Sequence, residues 1–324
     1  MLMSVLLFAI GLVLLIKGGD WFVDGATGIA KRFNLPDIVV GATVVSIGTT
    51  LPEVMVSTTG ALQGSGAMAY GNAIGSIICN TALIAAISIV CNPGPVNTKS
   101  MKTPAIFFFL SAALYCLASY VLGTFPRWMG FVMLGIFVVY MVTTVRNGMK
   151  NPDAIEEEEA EEGKQRTLVM ELVLLVVGAA VIAVGADLLV EHGQIIAIGL
   201  GVPETVVALL FVALGTSLPE LVTTITSLRS GHASLGVGNV IGANVFNLVL
   251  VSGVAVSLAP FDVPCENTLL NTGLNMSLVF EIPVMLGVMA LMIFPALAKK
   301  KLSRWQGIAL LGIYVAFCIC QFVL

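Results

Sequence analysis

"GTTLPE", residues 48–53, interrupts a run of sequence that otherwise reads as membrane helix. "GTSLPE", residues 215–220, repeats it with five of six positions identical. A proline and a glutamate are both costly inside hydrocarbon: the first removes a backbone donor and the second carries a charge. Their duplication marks a device rather than an accident.

The surroundings are those of an integral membrane protein. The 324 residues are 58% hydrophobic and 10% charged, with mean hydropathy +1.02. A soluble domain carries about a quarter charged residues. The net charge of −4 comes from one stretch holding Asp153, Glu156, Glu157, Glu158, Glu159, Glu161 and Glu162. Without that stretch the chain is slightly basic, so no nucleic-acid partner is indicated. Such a charge run reads as a solvated linker before it reads as a weak Ca²⁺ sensor. The six cysteines lie mostly in apolar runs and form no metal-like cluster, which makes them small core residues. The apolar run from Leu2 has no basic leader or cleavage site and reads as a retained helix.

A span needs roughly 20 apolar residues. Ten candidates fall at 2–22, 37–62, 67–91, 103–122, 126–146, 168–190, 203–228, 234–258, 274–297 and 305–323. The odd-numbered loops between them hold thirteen Lys and Arg, and the even-numbered loops hold only Arg127. By the positive-inside bias the odd loops are cytoplasmic and both termini lie outside.

The two motifs belong to a longer repeat. Asp20 and Asp187, Pro36 and Pro203, Glu53 and Glu220, Asn72 and Asn239, and Asn80 and Asn247 are each 167 residues apart. "RWMG" at 127 and "RWQG" at 304 are 177 apart, so the second half gains about ten residues before its fourth span. Each half has five spans. Five is odd, so the second copy enters the membrane inverted, and Arg127 and Arg304 fall on opposite sides as this requires. Inverted repeats with interrupted helices are the architecture of secondary transporters. The expected organisation is a first repeat over 1–147, a cytoplasmic acidic linker over 148–167 and an inverted repeat over 168–324.

Pro52 cannot donate to the carbonyl of Gly48, nor Pro219 to that of Gly215. Thr49 and Glu53, and Thr216 and Glu220, are spaced i, i+4 and share a helix face. Each motif therefore offers a carbonyl, a hydroxyl and a carboxylate to one side. These are hard oxygen ligands, suited to Ca²⁺ or Na⁺. An ionisable group near the bilayer centre costs at least ~2.5 kcal/mol, so two of them call for a cation. "GNAIGSIICN" sets Asn72, Ser76 and Asn80 in one stripe, and "GNVIGANVFN" sets Asn239, Ala243 and Asn247 in its equivalent, with Asn244 beside it. Gly71, Gly75, Gly238 and Gly242 permit close helix approach. A single Ser or Asn in such a helix usually glues helices together, and a lone proline usually only kinks one. Two glutamates at matched depth are another matter. Asp20 and Asp187, nearer span ends, are expected to be solvated or capping. Glu281 is expected to be interfacial or packed, and His192 and His232 to be solvated in loops.

On these residues the chain resembles the cation/Ca²⁺ antiporter superfamily, in its prokaryotic sodium/calcium exchanger branch. "GATVVSIGTTLPE" with "GNAIGSIICN", and "ALLFVALGTSLPE" with "GNVIGANVFN", match that family's two α-repeats. The resemblance implies an all-α protein of ten transmembrane helices in 5+5 inverted repeats. It implies Glu53 and Glu220 as central Ca²⁺ ligands helped by Thr49 and Thr216, with carbonyls from Ser46 and Ala213. Thr50, Ser76, Asn80, Ser217 and Asn247 would line Na⁺ and water positions. It further implies that the first and sixth helices slide across the rest. The implied partners are Ca²⁺, Na⁺ and the bilayer, with no cofactor and a monomer as the expected unit. Two departures stand out: Asn247 replaces an Asp carried by some exchangers, and Ala243 replaces a Ser. With Asn247 the formal charge rests on two glutamates, matched by one Ca²⁺ or two Na⁺.

Three alternatives are open. A cation/H⁺ antiporter of the same fold would titrate Glu53 and Glu220 instead of binding Na⁺. A channel needs a continuous, weakly binding path, which inverted repeats around a closed site do not suggest. An enzyme is not indicated: there is no plausible nucleophile–His pair, no HExxH and no phosphate-binding loop.

Overall fold

The computed structural model describes residues 2–150, 166–199, 215–264 and 274–323. Helices dominate. Five precede the linker: α1 Leu2–Phe33, α2 Asp37–Leu62, α3 Gly66–Cys91, α4 Thr98–Leu122 and α5 Arg127–Met149. Five follow it: α6 Leu168–Gly199, α7 Leu218–Arg229, α8 Ala233–Leu258, α9 Ser277–Lys299 and α10 Arg304–Val323. Nine of the helices among the described residues are long and apolar enough to cross a bilayer. The seventh expected span, 203–228, is described only from residue 215 onward. The chain is thus the all-α polytopic membrane protein its composition announces.

Helices α1 and α6 run well beyond the apolar stretches expected at 2–22 and 168–190, to Phe33 and Gly199. Hydropathy ended those spans at their charges, but the helices continue, and in α1 several of the charges are paired. Lys17 Nζ lies 3.9 Å from Asp20 Oδ2, Arg32 Nε 2.7 Å from Glu171 Oε2, and Arg166 Nη1 2.9 Å from Asp24 Oδ2. Asp20 and Asp187 are therefore within helices rather than near their ends, and so is His192. The two helices pack against each other along their lengths. Gly11, Gly18 and Gly25, seven residues apart, face the α6 backbone at Gly185, Gly178 and Glu171. A Cβ on Gly18 would stand 2.9 Å from Ile182 N, and one on Gly185 2.9 Å from Leu15 N. No side chain separates the two backbones there.

Helices α2, α3, α7 and α8 pack on one another at the centre, with α8 the most deeply buried. Two two-residue strand pairings tie the loops. Strand β1 (Gly94–Pro95), after α3, pairs with β4 (Lys301–Leu302), before α10. Strand β2 (Thr124–Phe125), before α5, pairs with β3 (Phe261–Asp262), after α8. The first pairing joins two odd loops and the second two even loops. All four described odd loops also surround a single cavity of about 290 Å³, lined in part by Pro36, Asn92, Asn97, His232 and Leu302. In its wall His232 Nδ1 lies 2.6 Å from Asp37 Oδ2, so His232 is held by a carboxylate rather than simply solvated.

Candidate ion-binding site

The first motif lies within α2, which continues through Pro52. The irregularity comes one turn earlier, where Gly41–Val45 forms a π turn. Such turns leave one extra residue per turn and recur at functional sites. The second motif behaves differently. Thr216 and Ser217 form a turn, and Pro219 opens α7 in its first turn, where a missing N–H costs nothing. In α3 and α8 a π turn begins at the repeat-related asparagines themselves, Asn80–Ala85 and Asn247–Val251. The carbonyl of Asn247 receives the Ser252 hydroxyl at 2.9 Å, as that of Gly41 receives the Ser46 hydroxyl at 2.8 Å.

The fold brings these segments together. Glu53 and Glu220 are fully buried and near enough to repel each other. Neither carboxylate has a hydrogen-bond partner, and no Lys, Arg or His pairs with either among the described residues. In the same motifs and their neighbouring helices α3 and α8, Thr50 Oγ1, Ser217 Oγ, Asn247 Oδ1 and both polar atoms of Asn80 are buried without partners. Asn247 Nδ2 donates to the Ala243 carbonyl at 3.0 Å, which leaves its oxygen free. Ser76 is buried on α3, and Cys79 one turn on is adjacent to Ser217 and Glu220. Thr216 is described within the turn, and Ala213 lies outside the described residues.

An unpaired buried carboxylate is among the least stable things a protein can hold. Here two share one site, amid neutral oxygens that have no donors of their own. The donor set is all hard oxygen, without thiolate or imidazole. It fits a divalent alkaline-earth ion or two monovalent alkali ions by charge and by ligand type.

Residues outside the expected set belong to the same region. Asn239 of α8 accepts from Ser46 Oγ and Thr49 Oγ1, both at 3.2 Å. Its repeat partner Asn72 donates to the Glu53 carbonyl at 3.3 Å and to Ser57 Oγ at 2.8 Å. Thr223, Thr224 and Ser227 continue one face of α7 beyond Glu220, with buried hydroxyls that have no partner. Their spacing after Glu220 was visible in "ELVTTITSLR", whereas the reach of Asn239 across to α2 was not. Asn244 Nδ2 donates to Thr81 Oγ1 at 2.7 Å and joins α8 to α3. Glu281 accepts from Ser277 Oγ at 2.7 Å and Gln321 Nε2 at 3.1 Å.

Comparison with known proteins decides the family. The model of the sodium/calcium exchanger protein family matches residues 3–146 and 170–323. The chain belongs to this family. It is 33% identical over 311 residues to an uncharacterized membrane protein of Methanocaldococcus jannaschii, covering 95% of this chain and 94% of that one. It is 29% identical to the sodium/calcium exchanger MaX1 of Methanosarcina acetivorans, covering 98% of each. Inner membrane protein YrbG of Escherichia coli is 30% identical over 81% of this chain and 82% of its own. Among solved structures, the sodium-calcium exchanger NCX_Mj soaked with 2.5 mM Na⁺ and 10 mM Sr²⁺ superposes with TM-score 0.79 at 31% identity, covering 97% of both chains. The two matched segments of the exchanger family model flank the acidic stretch on either side.

Proposed function

We propose that this chain is a secondary antiporter that exchanges Ca²⁺ for Na⁺ across the cell membrane. The observation that carries the reading is the pair Glu53 and Glu220, buried together with no basic partner. Two negative charges demand two positive ones. One Ca²⁺ or two Na⁺ supply them, so the cage is best filled by one set or the other. Exclusive occupancy of that kind is what couples two ion fluxes.

In this reading Glu53 and Glu220 bind Ca²⁺ with Thr49 and Thr216, and carbonyls of Ser46 and Ala213 complete the shell. Thr50, Ser76, Asn80, Ser217 and Asn247 supply neutral oxygens to Na⁺ and its waters. The ions sit near midplane between a repeat over 1–147 and an inverted repeat over 168–324, joined by the linker 148–167. The odd loops face the cytoplasm, as their Lys and Arg demand. Access alternates as α1 and α6 move together across the other helices. Their glycine-to-glycine packing and the Arg32–Glu171 ion pair support motion as one body.

The missing basic partner also favours a second reading, a cation/H⁺ antiporter in which protons neutralise the two glutamates. Purified protein in liposomes separates them. Uptake of ⁴⁵Ca²⁺ driven by an outward Na⁺ gradient at equal pH is the expected result. Uptake driven only by a pH gradient would replace Na⁺ with H⁺, and uptake with no counter-ion would overturn exchange altogether.

A further inference from the structure

The structure assigns Asn239 as a positioning residue that takes the proton of the Thr49 hydroxyl and so turns its lone pairs toward the cation. The assignment rests on the exchange reading above, and it concerns a residue that carries no ligand role in it.

The geometry is unusual for a hydroxyl in a membrane helix, which commonly bonds back to its own preceding turn. Thr49 instead reaches across to the other half of the molecule, 190 residues away in sequence, and donates to Asn239 Oδ1 at 3.2 Å. Ser46 Oγ has three oxygens around it: Gly41 O at 2.8 Å, Asn239 O at 2.9 Å and Asn239 Oδ1 at 3.2 Å. All three are acceptors. A hydroxyl has one proton and two lone pairs, so Ser46 must donate here, and its remaining electron density points away from them. All three side chains are buried, so no solvent competes.

The approach is built into the backbone. A Cβ on Gly242 would overlap Ser46 Oγ and the Ala42 backbone, and one on Gly238 would overlap Ile38 O. Gly41 of α2 meets Leu235 and Asn239 in the same way. Three small residues thus let α2 and α8 touch where Asn239 meets Ser46 and Thr49.

The consequence lies at Glu220. Thr49 is close enough to that carboxylate to interact with it, yet its hydrogen bond goes to Asn239, and both Glu220 oxygens have no partner. With its proton held by Asn239, the Thr49 oxygen and the Glu220 carboxylate are both electron donors facing one space. A cation satisfies both. Without Asn239, Thr49 would donate to Glu220 and close that space with a hydrogen bond that the cation must displace.

The test is a mutant cycle on Ca²⁺ binding, read as half-saturating ⁴⁵Ca²⁺ by purified full-length protein. Asn239→Ala is expected to weaken binding about tenfold, the worth of one or two hydrogen bonds. In a Thr49→Val background, Asn239→Ala should add little, because the proton it holds is gone. Additive losses would make Asn239 merely structural and overturn the assignment, as would unchanged binding in Asn239→Ala. Asn239→Asp keeps the acceptor oxygens and is expected to bind at least as tightly as wild type. Weakening by Asp to the level expected for Ala also overturns the assignment, even where the Ala variant does not fold. Wild-type protein whose Ca²⁺ binding is absent, or survives both Glu53→Gln and Glu220→Gln, would sink the functional reading and this assignment with it. Binding that needs both glutamates but ignores Asn239 sinks this assignment alone.

Discussion

Arg32 at the end of α1 grips Glu171 near the start of α6 with both nitrogens, Nε at 2.7 Å from Oε2 and Nη2 at 3.0 Å from Oε1. Arg32 also donates to the Arg166 carbonyl, and Arg166 pairs with Asp24. The chain re-entering from the linker is thereby fastened to both helices. Glu171 is buried, so Glu171→Ala leaves Arg32 beside an apolar gap. We expect it to lower the unfolding temperature, because it removes the carboxylate that holds Arg32 to α6. The Arg32→Ala, Glu171→Ala double variant should recover part of that loss. Thermal unfolding followed by size exclusion in detergent measures both.

Glu53→Gln and Glu220→Gln should each abolish Ca²⁺ exchange while leaving a folded protein. One carboxylate against a divalent ion leaves the site with net charge. Each amide also removes the mutual repulsion of two buried anions. In ion-free buffer both variants are therefore expected to unfold at a higher temperature than wild type, and to gain nothing from added Ca²⁺. A variant that still exchanges at the wild-type rate would misplace the centre of the site.

Ala243 holds the place that Ser76 holds in the first repeat, and its carbonyl is engaged by Asn247 Nδ2. It offers a methyl where a hydroxyl could face an ion. Ala243→Ser should lower the half-saturating Na⁺ by several-fold, since one such contact is worth about 1 kcal/mol. Half-saturating Ca²⁺ should stay nearly constant. Na⁺ titration of ⁴⁵Ca²⁺ flux in oriented vesicles reads this. Identical Na⁺ curves from both faces would remove position 243 from any sodium site.

Deleting residues 156–162 should leave exchange largely intact. The stretch lies outside the described residues and between the two segments matched by the family model. A large shift in the Ca²⁺ dependence of transport at unchanged expression would instead make the acidic run a sensor.

The periodicity of 167 residues made the pairing of Glu53 with Glu220 legible, because the two recur with their flanking glycines and asparagines at fixed spacing. Helix extent was less legible. Hydropathy records what lipid tolerates, and it stopped at Asp24 and Arg32 although those groups are neutralised by Arg166 just before α6 and by Glu171 within it. The two motifs also look alike in sequence yet differ locally: Pro52 sits inside a helix, while Pro219 starts one. Spacing along one chain could group Asn239 with Asn247, but its hydroxyl partners lie on α2. Only the tertiary arrangement reveals them.

The crossed strand pairings bear on how the molecule is made. Strand β1 belongs to the first half and finds its partner β4 only before the last helix, and β2 must wait for β3. During synthesis the first five helices therefore emerge with both strand edges open, and the final pairing closes only when the chain is nearly complete. The halves are laced together at opposite faces rather than stacked as finished units. Two fragments, 1–150 and 166–324, co-expressed as separate chains, should find each other through these same lacings, and neither should persist well when made alone.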